Sequence, residues 1–231
     1  MNHIERTNAA AGFSPRLRRF IHPILLKYWL RHSSRVLTTR VGGFTLRVLP
    51  TVFHPKYFGS SLILGRYVES QSLQGKTFLD MGTGSGIIGL CAARAGARVT
   101  GVDINPSAVE CALQNSANAG FEIEYLRSDL FSGLPNRRFD VIAWNPPFFP
   151  KPSENLAEAA LYAGPRFGEI ARFAGSCREH MTSDAHIILV LSLDIDVVAV
   201  ESRFRNEGFS ARRVLTRKWG FAETMIIVEI R

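Results

Sequence analysis

Apolar positions in this chain fall into two periods that take turns from residue 77 onward. Short apolar runs near 77–81, 98–103, 122–127, 139–144, 186–192, 211–217 and 224–230 have the length and composition of strands. Between them, residues 85–95, 106–119, 168–181 and 195–207 carry apolar positions at helical spacing. Such alternation predicts an α/β fold with a mostly parallel, seven-stranded sheet covered on both faces. The last two runs are too close for a crossover helix, so they predict an antiparallel hairpin at or near one edge.

Upstream the pattern changes. Val36, Leu37, Val41, Phe44, Leu46 and Val48 alternate around Gly42-Gly43, which predicts a hairpin within 36–52. A helix is predicted from Ser60 to Ser70. Nearer the N-terminus, Ser14-Pro15 has the form of a helix start, and Leu17, Phe20, Ile21, Ile24, Leu25 and Tyr28 recur at helical spacing. Pro23 predicts a kink there or a split into two short helices. The expected organisation is a basic N-terminal helical arm and hairpin over 1–50, then a sheet domain over 51–231.

Charge sharpens that division. The 231 residues carry a net charge of +8. Residues 1–47 contain nine Lys/Arg and a single acid, Glu5, so the excess lies entirely in this segment and the remainder is balanced. A basic amphipathic arm fits an anionic partner, either RNA or a membrane surface, or else packs as a solvated helix on the domain. Cys91, Cys111 and Cys177 are scattered, odd in number and without metal-ligand spacing, which favours buried thiols in a reducing compartment. No apolar run reaches membrane-spanning length and no signal-peptide pattern appears, so a cytoplasmic location is expected and no metal.

Two loops carry candidate chemistry. Asp80-Met81-Gly82-Thr83-Gly84-Ser85-Gly86 follows the first strand of the sheet domain and leads into its helix. Glycines there permit a tight turn and close backbone approach, and the helix start offers free N–H groups. Asp103 ends the next strand, where a carboxylate can accept from ribose hydroxyls. Gly84 to Gly89 also satisfies the dinucleotide G-x-G-x-x-G pattern, which by itself is a weak signal. Asp80, ahead of the glycines, is placed to hold an ammonium group, which S-adenosyl-L-methionine has and a nicotinamide dinucleotide lacks. After the third strand, Asp129 is either an acceptor for an adenine amine, with Ile104 and Leu130 covering the ring, or a turn residue.

The second loop is Asn145-Pro146-Pro147-Phe148, after the apolar run 139–144. Alone it reads as a strand-ending turn. Opposite the glycine loop, it reads as a clamp for a planar nitrogen. The Asn145 side-chain oxygen and the Pro146 carbonyl would accept the two N–H groups, and Phe148 would stack on the target. Such a clamp biases a delocalised nitrogen towards a nucleophilic state and needs no separate base. His54, Tyr162 and Arg166 lie where they could touch ligand, although a structural role is the simpler expectation for His54.

Residues 77–149 resemble class I methyltransferases of the small-domain superfamily, especially the HemK-type protein-glutamine N5-methyltransferases. The stretches that carry this are Leu79 to Gly86, Val102 to Val109, Ser128-Asp129-Leu130-Phe131 and Phe139 to Phe148. The resemblance implies a Rossmann-like fold. It implies S-adenosyl-L-methionine contacts at Asp80, Gly82, Thr83, Gly84, Gly86, Asp103, Ile104, Ser128, Asp129, Leu130 and Asn145. It places the acceptor nitrogen at Asn145, Pro146 and Phe148. Phe148 departs from the tyrosine usual in glutamine enzymes; nucleic-acid amine methyltransferases use either aromatic. The acceptors to be weighed are therefore a protein glutamine, an exocyclic amine of rRNA or tRNA, and a small or lipid-linked molecule. A silent binding protein on the same fold is disfavoured by the intact Asp80, Asp103 and Asn145.

Overall fold

The computed structural model describes residues 35–219 and 223–231. The helix expected after Ser14, its kink at Pro23 and the partner expected for the arm lie outside the described residues. A hairpin of β1 (Leu37–Val41) and β2 (Phe44–Val48) comes first. Its two-residue turn places Gly42 and Gly43 at φ +61° and +86°, which glycine adopts without strain. A single turn, α1 (Pro55–Phe58), and α2 (Ser60–Glu69) lead into the sheet.

The sheet is then built as β3 (Thr77–Met81), α3 (Ile87–Arg94), β4 (Arg98–Asp103), α4 (Pro106–Asn118), β5 (Glu124–Arg127) and β6 (Phe139–Trp144). A short turn α5 (Leu156–Ala159), α6 (Gly168–Ser176), β7 (Met181–Ser192), α7 (Val197–Asn206), β8 (Ala211–Trp219) and β9 (Glu223–Ile230) complete it. The strand order is β5-β4-β3-β6-β7-β9-β8. Neighbours from β5 through β7 are parallel, and β9 pairs antiparallel with both β7 and β8. This is the mostly parallel, seven-stranded sheet with the C-terminal hairpin at one edge that the periodicity predicts, in the Rossmann-like form that the resemblance implies.

The order reverses between β3 and β6, and their carboxyl ends face the crevice where open α/β sheets bind ligands. Both candidate loops therefore emerge at the switch point. Two apolar layers hold the sheet between them. One joins β6 and β7 to α6 and α7 through Ile142, Phe173, Leu189 and Phe204. The other joins the opposite face to α2, α3 and the hairpin through Leu64, Phe78, Ile88 and Ile188.

Three departures from the sequence expectation have physical causes. The hairpin shares the second layer: Val41, Phe44 and Leu46 are buried with Leu62 and Ile87. We therefore propose that the sheet domain begins with the hairpin and not at residue 51. The helix expected to run to 181 ends at Ser176, and a 3-10 turn (Cys177–His180) follows. Strand β7 already starts at Met181 because it pairs with Phe139 there, ahead of an irregularity in the register. All three cysteines are buried thiols. Among the described residues no helix is long and apolar enough to cross a membrane.

Candidate functional site

A cavity of about 270 Å³ opens at the carboxyl ends of β3, β4 and β6. Its floor is the glycine loop. Gly82 and Gly84 have φ of +65° and +54°, and a Cβ at Gly84 would meet nothing nearer than 4.0 Å. That open space lets a ligand approach the loop closely, although the Thr83 and Gly84 amides are already bonded to the Val102 carbonyl and to Asp103. Gly86 has a different reason to be glycine. A Cβ there would lie 3.1 Å from Ala112 and 3.2 Å from the Tyr125 hydroxyl, so it serves the packing of α3 on its neighbours. It does not line the cavity.

Asp80 is fully buried and also does not line the cavity. Its Oδ2 accepts from the Thr83 hydroxyl at 2.6 Å and the Gly89 amide at 3.0 Å, tying the loop to the first turn of α3. Its Oδ1 has no protein partner. Burial pushes this carboxyl up to about 7, against the downward pull of those two hydrogen bonds. Asp103 does line the cavity. It accepts from the Gly84 amide and the Asn105 amide, each at 2.9 Å, and burial raises its carboxyl above the usual range. Each of its oxygens keeps a second lone pair for a ligand hydroxyl.

The remaining wall comes from three sources. Ile104 is 41% exposed, an apolar side chain left open on the rim. Ser128 shapes the turn after β5: its hydroxyl donates to the Leu130 carbonyl at 2.7 Å and accepts from the Gly133 amide at 2.8 Å. Leu130 is held at φ +50°. Asp129 lines the rim, but its Oδ2 is already paired with Arg172 on α6 at 2.7 Å, and Arg172 also pairs with Glu169. The periodicity of 168–181 marks α6 as a helix, and gives no sign that its polar face reaches the loop after β5.

Asn145 joins this cavity to a second, much smaller one lined by Phe53, Pro146, Phe148, Phe149 and Glu223. Its side-chain nitrogen donates to the Ser60 hydroxyl at 3.1 Å and the Ser61 hydroxyl at 2.9 Å. Its Oδ1 is buried without a partner. Pro146 is buried, and Phe148 is half-buried against the second apolar layer. Sequence reasoning thus finds Asn145, Pro146 and Phe148 together, and misses Phe53, Ser60, Ser61 and Glu223. Tyr162 lines the main cavity and packs edge-on to Phe149, whereas Arg166 lines neither. His54 is buried and caps α1 by accepting from the Lys56 amide, which is the structural role expected for it.

The residues present fit S-adenosyl-L-methionine. Two buried acceptor atoms, Asp80 Oδ1 and Asn145 Oδ1, have no partner in the protein, which is a costly condition unless a donor arrives. The cavity itself offers a glycine loop that a ligand can approach closely, the Asp103 carboxylate with spare lone pairs and the exposed apolar side chain of Ile104. Asp80, expected to touch the ligand, lies instead outside the cavity lining and ties the loop to α3.

Comparison with known proteins agrees with this geometry. The methyltransferase small domain family matches residues 43–165, more than half of the chain. A release factor glutamine methyltransferase of Rhodopirellula baltica is 34% identical over 188 residues, covering 75% of this chain and 62% of its own. A tRNA1(Val) (adenine(37)-N6)-methyltransferase of Porphyromonas gingivalis is 45% identical over 80 residues, 31% of each chain. Among solved structures, a T. thermophilus 16S rRNA N2 G1207 methyltransferase in complex with AdoMet and guanosine superposes with a TM-score of 0.60 at 24% identity. That match covers 84% of this chain and 49% of the other and speaks to the fold alone. The first curated relatives are matched over 43–62% of their own length.

Proposed function

Because the chain belongs to the methyltransferase small domain family, we propose that it transfers a methyl group from S-adenosyl-L-methionine to a planar nitrogen, and that this nitrogen is the side-chain amide of a protein glutamine. The observation that carries the reading is Asn145 Oδ1, a buried acceptor without a partner where the two cavities meet. When bound, the cofactor supplies an activated methyl group on a sulfonium. Asp103 is assigned to its ribose, the backbone of Gly82, Thr83 and Gly84 to its amino-acid end, and Ile104, Asp129 and Leu130 to its adenine. Asp80 opposes its positive charge from beneath the loop.

The chain's own part in the chemistry is alignment. Asn145 Oδ1 and the Pro146 carbonyl accept the two N–H groups of the acceptor and direct its lone pair across the junction towards the main cavity. Acceptors set out of the amide plane favour a pyramidal nitrogen, whose lone pair is then free for attack. The new N–C bond would form as the sulfonium's S–CH3 bond breaks to leave a neutral thioether, and the proton in excess would then pass from the nitrogen to solvent. Phe148 and Phe53 close the slot against water, where hydrogen bonds are strongest.

The glutamine acceptor is favoured by the motif resemblance and by relatives named for release-factor glutamine methylation. A second reading, an exocyclic amine of rRNA or tRNA, draws on the basic segment 1–47 and on the relative named for tRNA adenine methylation. Transfer of labelled methyl groups from S-adenosyl-L-methionine into fractionated lysate separates them. Label in protein that survives nuclease is expected. Label removed by nuclease would replace glutamine with RNA, and label in a solvent extract would replace both.

A further inference from the structure

The terminal torsion of an asparagine is broad and two-fold, so nothing intrinsic decides whether its oxygen or its nitrogen faces a substrate. At Asn145 that choice determines whether the clamp accepts or repels an N–H group. Two hydroxyls lie on one side of the amide, Ser60 Oγ at 3.1 Å and Ser61 Oγ at 2.9 Å from Nδ2. Both serines are buried. With the nitrogen on that side, both of its N–H groups find acceptors and one carbonyl oxygen is left unpaired. With the amide turned over, two buried donors would be left unpaired. Orphaned donors are the rarer and costlier case, so the serine pair fixes the oxygen towards the slot.

We propose that Ser60 and Ser61 are positioning residues for methyl transfer: together they select the amide orientation in which Asn145 can receive the acceptor nitrogen. This rests on the clamp reading given above. The pair is itself held in place from the far edge of the sheet. Gly59, at φ +63°, is the N-cap just ahead of α2, and any Cβ on it would collide with the Trp219 ring at the end of β8. Trp219 thereby packs over the backbone that starts the helix and presents both hydroxyls. The device links three stretches of sequence, because Asn145 lies 84 and 85 residues beyond its serines and Trp219 lies in the C-terminal hairpin.

The test compares N145A, the S60A/S61A double variant and S60T/S61T for the initial rate of labelled methyl incorporation into total lysate macromolecules, with cofactor affinity measured alongside. The double alanine variant is expected to lose about tenfold or more in rate, the equivalent of one or two lost hydrogen bonds, with cofactor affinity within about twofold. The double threonine variant, which keeps both hydroxyls, is expected to recover most of the rate. A folded double alanine variant with the parent rate overturns the proposal, as does a threonine variant no better than alanine. If N145A also transfers at the parent rate, the clamp reading itself fails, whatever the serines do. Should the double variant fold poorly, S61A alone is measured against the same two limits. The Asn145 side-chain amide protons provide a readout that needs no acceptor. They are expected to exchange slowly in the parent protein and fast without the serines, and equal exchange in the two overturns the proposal.

Discussion

The two halves of this site are assembled in opposite ways. On the side we assign to the cofactor, most ties join neighbours in sequence: Asp80 accepts from Thr83 and Gly89, Asp103 from Asn105, and Ser128 bonds Leu130 and Gly133, with a longer tie from the Gly84 amide to Asp103. On the acceptor side the parts come from far apart. Asn145 depends on Ser60 and Ser61, and the slot beside it is closed by Phe53 and Glu223. A local site survives as a motif, because its geometry is fixed by backbone and by short-range bonds. A dispersed site leaves only its central tetrad in view. The contrast also has an energetic side, since the local half can tolerate changes elsewhere that the dispersed half cannot.

The largest effect expected lies at the centre of the dispersed half. Removing one preorganised hydrogen-bonding group from a reacting centre typically costs about 10²–10³ in rate. N145A is therefore expected to lose about a hundredfold in transfer with cofactor affinity within about twofold, measured by label incorporation and calorimetry. Equal losses in both would mean that the two halves are one site, and the comparison would fall.

Glycines of the local half give the next effect. Gly86→Ala places a Cβ 3.1 Å from Ala112 on a backbone with φ +84°, and is expected to cost about 1–3 kcal/mol of stability in denaturant unfolding. Gly84→Ala faces open space at φ +54° and is expected to cost about 1 kcal/mol, yet to weaken cofactor binding more than Gly86→Ala does. The reverse ranking would show that Gly84 shapes the fold and that Gly86 meets the ligand.

What could be read from sequence follows the same division. Strands β3 and β6, the middle of β4 and the second half of β7 are buried and read as apolar runs, whereas β5 at the edge is half exposed, so the sheet and its edge hairpin were legible. The carboxyl ends of β3, β4 and β6 then located both loops. Roles within the loops were less legible, because GxG spacing cannot distinguish a glycine bare to a ligand, Gly84, from one required by helix packing, Gly86. Asp129 reads as a free carboxylate until α6 is folded and brings Arg172 to it. Ser60 and Ser61 read as an ordinary helix start, since nothing within a few residues marks their partner. The burial of Asp80 was likewise invisible in a motif that suggests direct contact.

That burial makes the third prediction. Burial pushes the Asp80 carboxyl from the ordinary carboxylate value of 3.8 up to about 7. With its folded value raised, its contribution to the stability of the ligand-free protein is fully present below 3.8 and is lost as pH rises towards 7. A cationic ligand reverses the preference, because it favours the ionised form. Cofactor affinity is expected to rise about tenfold between pH 6 and pH 8 relative to an Asp80→Asn variant, which cannot ionise. Parallel pH profiles for the two proteins would remove Asp80 from the cofactor's charge balance and leave it as a tie between the loop and α3.

The smallest effect is expected at the one place where the local half borrows from a distant helix. Asp129 and Arg172 are about half exposed, and such pairs contribute at most about 1 kcal/mol. Arg172 is itself steadied by Glu169 and pairs with Oδ2 of Asp129, which under the proposed adenine role leaves the other oxygen to the ring amine. Arg172→Ala is then expected to weaken cofactor binding by about two- to threefold at low salt, and the difference should vanish at high salt as the pair is screened. Tighter binding in the variant would mean that Arg172 competes with the adenine for Asp129. The carboxylate would then be a rim residue occupied by its own protein, and recognition of the ring would pass to the apolar surfaces of Ile104 and Leu130.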